Sequence, residues 1–170
     1  MYDMSKAAAD RIHPHADIVK NCLTVKPRYV ILYILLAGFV FYKGKIARFM
    51  SLAKNVARQS DFPDYRHGAV LVRGGSIINT SPNKDSFCSF GARFRNNLPG
   101  HATVHAEIGA ILGLDRSITD GAVLYVARIG KLDDFKMSKP CEMCEAALRY
   151  VGVRRVVFTI DNEKVGEEKL

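Results

Sequence analysis

Residues 122–160 read AVLYVARIGKLDDFKMSKPCEMCEAALRYVGVRRVVFTI, and the hydrophobic rhythm of this stretch changes twice. Ala122 to Ile129 is a short apolar run rich in branched and aromatic side chains, the pattern of a buried strand. Pro140 then suits the first turn of a helix, where a missing N–H costs nothing, and the helix runs to about Tyr150 before Gly152 stops it. Val153 to Ile160 makes a second strand. Strand, helix and strand at this length predict a right-handed parallel crossover. Upstream, Ala69 to Val72 and Ser76 to Asn79 flank Arg73, Gly74 and Gly75, which predicts a tight antiparallel hairpin. Ile46, Phe49, Met50, Ala53, Val56 and Ala57 recur at helical spacing over Ile46 to Arg58. Thr103 to Leu114 reads as another helix with Thr103 as its cap. The sum is an α/β fold, a three-layer α/β/α sandwich whose mixed sheet has an antiparallel hairpin followed by parallel strands.

The 170 residues suffice for one ordinary domain with a single core rather than two compact ones. Nearly half the chain is hydrophobic and a quarter is charged, which excludes a disordered or low-complexity protein. Four cysteines offer no disulfide framework, so a reducing, cytoplasmic setting is expected. The net charge is +8, most of it between residues 45 and 160, where seventeen basic side chains face ten acidic ones. Such a surplus draws in phosphate-bearing partners, from nucleotides to single-stranded nucleic acid, or serves solubility alone. Residues 1–44 read as an extension to a catalytic body at 45–170. Within the extension, Tyr29 to Tyr42 is uninterrupted apolar sequence. As a helix its fourteen residues would reach about 21 Å, short of the roughly 30 Å hydrocarbon core of a bilayer. A membrane anchor through 29–42 is therefore the alternative to a buried or interface-covering segment.

Chemistry concentrates in His105, Glu107, Cys141 and Cys144. One imidazole and two thiolates suit Zn²⁺, and three protein donors leave the fourth tetrahedral position open, as catalytic zinc sites do. Cys22 and Cys88 stand alone, so no second pair completes a closed structural site. Glu107, two residues after the histidine, is free to move protons. Lys84 to Ala102 is polar without clear period and reads as a long loop leading into His105. Its Arg93 and Arg95, interleaved with Phe90 and Phe94, could hold a phosphate or stack on bases, or simply be solvated beside anchoring phenylalanines. His101, four residues before His105, is a weaker ligand candidate because Pro99 and Gly100 delay any helix there.

His105-Ala106-Glu107 followed by Pro140-Cys141-Glu142-Met143-Cys144 is H-x-E…P-C-x-x-C, and by it the chain resembles the zinc-dependent cytidine and deoxycytidylate deaminase superfamily over about residues 46–160. The resemblance implies a cytidine deaminase-like fold with His105, Cys141 and Cys144 as zinc ligands and Glu107 as proton shuttle. It also implies that Asn83 hydrogen-bonds the substrate sugar and that the backbone of Ala106 meets the base. The expected reaction is hydrolytic deamination of a cytosine nucleotide, dCMP to dUMP with release of ammonia. Met143, Ala146, Ala147 and the run Arg155 to Phe158 are similar to the tRNA adenosine deaminase branch, which keeps a base within single-stranded DNA or RNA as the alternative substrate. A catalytically idle zinc-binding module is a third reading, against which the intact Glu107 argues. A homo-oligomer is left open. Lys139 departs from the glutamate usual in the tRNA enzymes, and the short C-terminus leaves little material for a fifth strand.

Overall fold

A computed structural model describes residues 44–95 and 102–170; Tyr29 to Tyr42 and His101 lie outside the described residues. The first elements are α1 (Lys45–Ala57), β1 (Arg66–Arg73), β2 (Ser76–Pro82), β3 (Lys84–Phe87), α2 (Ser89–Ala92) and β4 (Thr103–Val104). There follow α3 (Ala106–Ile111), α4 (Arg116–Thr119), β5 (Val123–Ile129), β6 (Phe135–Lys136), α5 (Glu142–Tyr150), β7 (Arg155–Thr159) and β8 (Val165–Lys169). The main sheet has the order β2-β1-β5-β7-β8, with the short β6 beside β5. β5 and β7 are parallel across α5, and the other pairings in this sheet are antiparallel. The expected hairpin is present: Gly74 and Gly75 both have positive φ, 59° and 86°, the conformation that a tight two-residue connection between twisted strands requires.

Strand alternation sorts the apolar side chains onto two faces of the sheet. Val70, Val72, Tyr125, Ala127 and Val157 meet Phe49, Met50, Ala53 and Ala57 of α1. Leu71, Leu124, Val126 and Val156 meet Ile108 and Ile111 of α3 and Met143 and Leu148 of α5. The sheet is thus sandwiched between helices on both faces, the three layers the periodicity predicts. Gly68 sets the spacing of the first layer, because a Cβ there would collide with the carbonyl oxygen of Ala53 and the backbone of Ala57. The C-terminal end of α1 is tied down by Asp133, which accepts from Arg58 Nε at 3.0 Å and Nη2 at 2.6 Å and pairs with Lys54 at 3.0 Å.

Several expectations need correction. Thr103 does not cap a helix; it lies in β4, paired with Phe87, and His105 is the N-cap of a helix that ends at Ile111. Pro140 stands one residue before the N-cap Cys141 rather than inside the helix. The segment after Asn83 is not simply loop, since β3 and α2 organise residues 84–92. A fifth strand of the main sheet does form: β8 pairs antiparallel with β7 from Val165 to Lys169. Its sequence, VGEEK, has little strand propensity, and the unpaired edge of β7 supplies main-chain partners that composition does not advertise. Among the described residues no helix is long and apolar enough to cross a membrane.

Candidate active site

Two helix N-termini and the end of a hairpin meet at one cavity. His105 and Cys141 are the N-cap residues of α3 and α5, each with extended backbone, and Cys144 is the third residue of α5. An N-cap side chain and the residue three positions on face each other at the mouth of a helix, the relation used by capping boxes, so both sulfurs reach one point. Cys141 faces the opening, whereas Cys144 is fully buried. His105 Nδ1 lies 3.3 Å from Cys144 Sγ and 3.6 Å from Cys141 Sγ.

These separations fit zinc. Tetrahedral Zn–S and Zn–N bonds of about 2.3 and 2.05 Å place sulfur and nitrogen about 3.6 Å apart. Among the described residues this trio, with its donor atoms all within 4.8 Å, is the group able to hold a metal ion. Its electrostatics also call for a cation. The S–H of Cys144, aided by His105, pushes the Cys141 thiol down to about 4. Cys144 moves well above its ordinary value because Cys141 sits against it and burial disfavours its charge. His105 is raised, chiefly by its hydrogen bond to Cys141. One thiolate forms readily and the second requires positive charge beside it.

Glu107, in the first turn of α3, is 5 % exposed, and burial raises its carboxyl above the ordinary range. A carboxyl raised in this way is better suited both to accept and to return a proton. The cavity has a volume of about 330 Å³, and His105, Ala106, Glu107 and Cys141 contribute to its wall. The remaining wall includes Tyr65, His67, Asn83, Thr103 and Lys139. Asn83 Oδ1 accepts from the His67 N–H at 2.8 Å and its Nδ2 donates to the Tyr65 carbonyl at 2.8 Å, so its amide pins the start of β1 beside the site.

Arg93 and Arg95 fall outside the cavity lining. Arg93 stacks against Phe90, Phe94 and Tyr150, with its guanidinium carbon 5.6–5.8 Å from each ring centre. Arg95 is near enough that its charge opposes protonation of His105. Tyr65, His67 and Lys139 were not marked as site residues by motif spacing. A signal for two of them exists: Tyr65 and His67 continue backward the alternation of Ala69 and Leu71, which face α3 and α5.

The family described as the cytidine and deoxycytidylate deaminase zinc-binding region matches residues 43–160. The chain belongs to this family. It is accordingly a zinc-dependent deaminase, an enzyme of nucleotide or nucleobase deamination. It is 30% identical over 125 residues to the deoxycytidylate deaminase of Mycobacterium phage D29, a match that spans 65% of this chain and 90% of that relative. It is 31% identical over 119 residues to the tRNA-specific adenosine deaminase of Agrobacterium fabrum, spanning 69% of this chain and 67% of that relative. Among solved structures, it is similar to the apo dCMP deaminase of the cyanophage S-TIM5, at 18% identity and a TM-score of 0.49 over 71% of this chain and 86% of that one.

Proposed function

We propose that this deaminase acts on a free cytosine nucleotide, dCMP, giving dUMP and ammonia. The observation that carries this reading is the cavity itself. At about 330 Å³ it matches the size of small-molecule sites and brings His105 and Cys141 of the donor trio, the Glu107 carboxyl and a polar wall together. The relative that this chain matches over 90% of its length is a deoxycytidylate deaminase, which supports the same choice.

His105, Cys141 and Cys144 would hold the zinc. When bound, zinc supplies the Lewis acidity that makes water nucleophilic near neutral pH. Glu107 takes a proton from the attacking water and delivers it to the ring nitrogen beside the reacting carbon. The same carboxyl then takes the second proton from the added hydroxyl and passes it to the amine; the C–N bond breaks as C=O forms, so the base keeps the water oxygen and nitrogen leaves as ammonia. Ala106, fully buried at the first turn of α3, brings backbone against the base. In this reading Asn83, already fixed by β1, uses its remaining N–H toward the sugar. Arg93 and Arg95 add positive potential around the cavity and favour an anionic substrate.

Deamination of a base within single-stranded DNA or RNA is the second reading, favoured by the net charge of +8 and by the similarity to a tRNA-specific enzyme. Ammonia release from the purified zinc-loaded protein, offered dCMP, cytidine, single-stranded DNA and tRNA in parallel, separates the two. Turnover of tRNA or single-stranded DNA with none of dCMP would overturn the first reading.

A further inference from the structure

Lys139 immediately precedes Pro140 and Cys141 and is part of the cavity wall. Among the described residues of that lining it is the one permanent cation. Three of the neighbouring basic side chains are engaged elsewhere. Arg128 lies over the Tyr65 ring at 4.5 Å, Arg66 donates to the Gly130 carbonyl, and Arg93 stacks on its three rings. His67 Nδ1 is 3.1 Å from the Tyr65 carbonyl, which makes that nitrogen the donor. Burial lowers the His67 pKa, so its ring adds no lasting charge.

The sole acidic partner of Lys139 among the ion pairs of the described residues is Glu168 on β8, at 3.4 Å, and the lysine side chain keeps 54% of its exposure. An exposed pair of this length is weak and exchangeable. A phosphate dianion presents twice the charge and three acceptor oxygens, and so competes well for the same ammonium.

Resting on the mononucleotide reading above, we propose that Lys139 is the residue that selects a 5′-phosphorylated substrate, with Glu168 pairing its ammonium until a phosphate takes it over. The strand β8 thereby acquires a role in specificity. It carries the carboxylate that competes with the substrate's phosphate, and the competition sets how strongly a nucleotide is preferred over a nucleoside.

The test measures kcat/KM for dCMP and deoxycytidine, together with calorimetric affinity for dUMP and deoxyuridine, in zinc-loaded wild type, Lys139→Ala, Lys139→Arg and Glu168→Gln. Lys139→Ala should cut the preference for dCMP over deoxycytidine about tenfold or more, with the change in KM rather than kcat. Lys139→Arg should restore most of it. Glu168→Gln should move the preference the other way, by about two- to threefold, because a competing charge is removed. A merely structural role would lower both variants together. Monomer turnover with the preference unmoved in Lys139→Ala and Glu168→Gln overturns the role of Lys139 alone. If the wild type deaminates no monomer but does deaminate a single strand, the mononucleotide reading falls and the selection by Lys139 falls with it.

Discussion

Replacing Gly109 with alanine should slow catalysis without touching a reacting group. Gly109 sits on α3 two residues past Glu107 and four past His105, where the helix crosses the end of β2. A Cβ at this position would collide with Ser81 Oγ and stand 2.8 Å from Ser81 Cβ and 3.2 Å from Val104 Cγ1. The hydroxyl can rotate away, but Ser81 Cβ is fixed to the backbone of β2. Carbon atoms settle near 3.6 Å, so α3 must shift by about 0.8 Å. Overpacking of this kind costs about 1–3 kcal/mol, which for a chain of this size lowers the melting temperature by about 3–9 °C. The larger effect is catalytic. The helix is six residues long and cannot absorb the shift before Glu107, and misplacing a catalytic group by about 1 Å costs up to about a hundredfold. Thermal melts and steady-state kinetics on zinc-loaded Gly109→Ala read both quantities. Turnover within threefold of wild type at an unchanged melting temperature would refute the argument that the α3–β2 spacing sets the position of the carboxyl.

Glu107→Gln should keep its zinc and fold yet lose about 10²- to 10⁴-fold in kcat, while Cys141→Ala should lose zinc by elemental analysis; substantial turnover in the first would require another base. Asp133 has its folded pKa lowered to about 2, first by the hydrogen bond from Arg58, so its contribution is complete above the ordinary value of 3.8 and is lost as pH falls toward 2. The shift alone would correspond to about 2.4 kcal/mol, but the carboxylate is 40% exposed and screening leaves about 1 kcal/mol. The stability gap between wild type and Asp133→Asn in urea titrations should therefore be about 1 kcal/mol at pH 6 and close on acidification; a gap independent of pH would contradict the clamp. A chain beginning at Lys45 should bind zinc and turn over substrate, since every named catalytic group lies beyond that point, and failure to fold would show that the preceding residues complete the core.

The candidate metal donors and the carboxyl beside them were legible in the chain because their signal is local. Cys141 and Cys144 are three residues apart at a helix mouth, and His105 and Glu107 are two apart at another, so side-chain chemistry and helical geometry suffice to propose one ion and one carboxyl. The layers were legible for a similar reason, since the apolar runs Ala69 to Val72 and Ala122 to Ile129 mark strands buried on both faces before any packing is known. Nonlocal pairing was not legible. The strand β8 exists because the edge of β7 accepts it, not because Val165 to Lys169 favours extended backbone. Thr103 is a strand residue because Phe87 lies opposite it, although its local pattern suits a helix cap. Arg93 reads as a phosphate ligand in the sequence, whereas in the fold its guanidinium lies against the rings of Phe90, Phe94 and Tyr150 and outside the cavity lining. The converse holds for Lys139: from the sequence it is only a departure before a proline, and it gains a cavity and a carboxylate partner through Glu168, twenty-nine positions away. Short-range spacing is encoded by backbone geometry that every chain shares, whereas the partner of an edge strand or a long cationic side chain is decided by which surfaces the whole fold brings together.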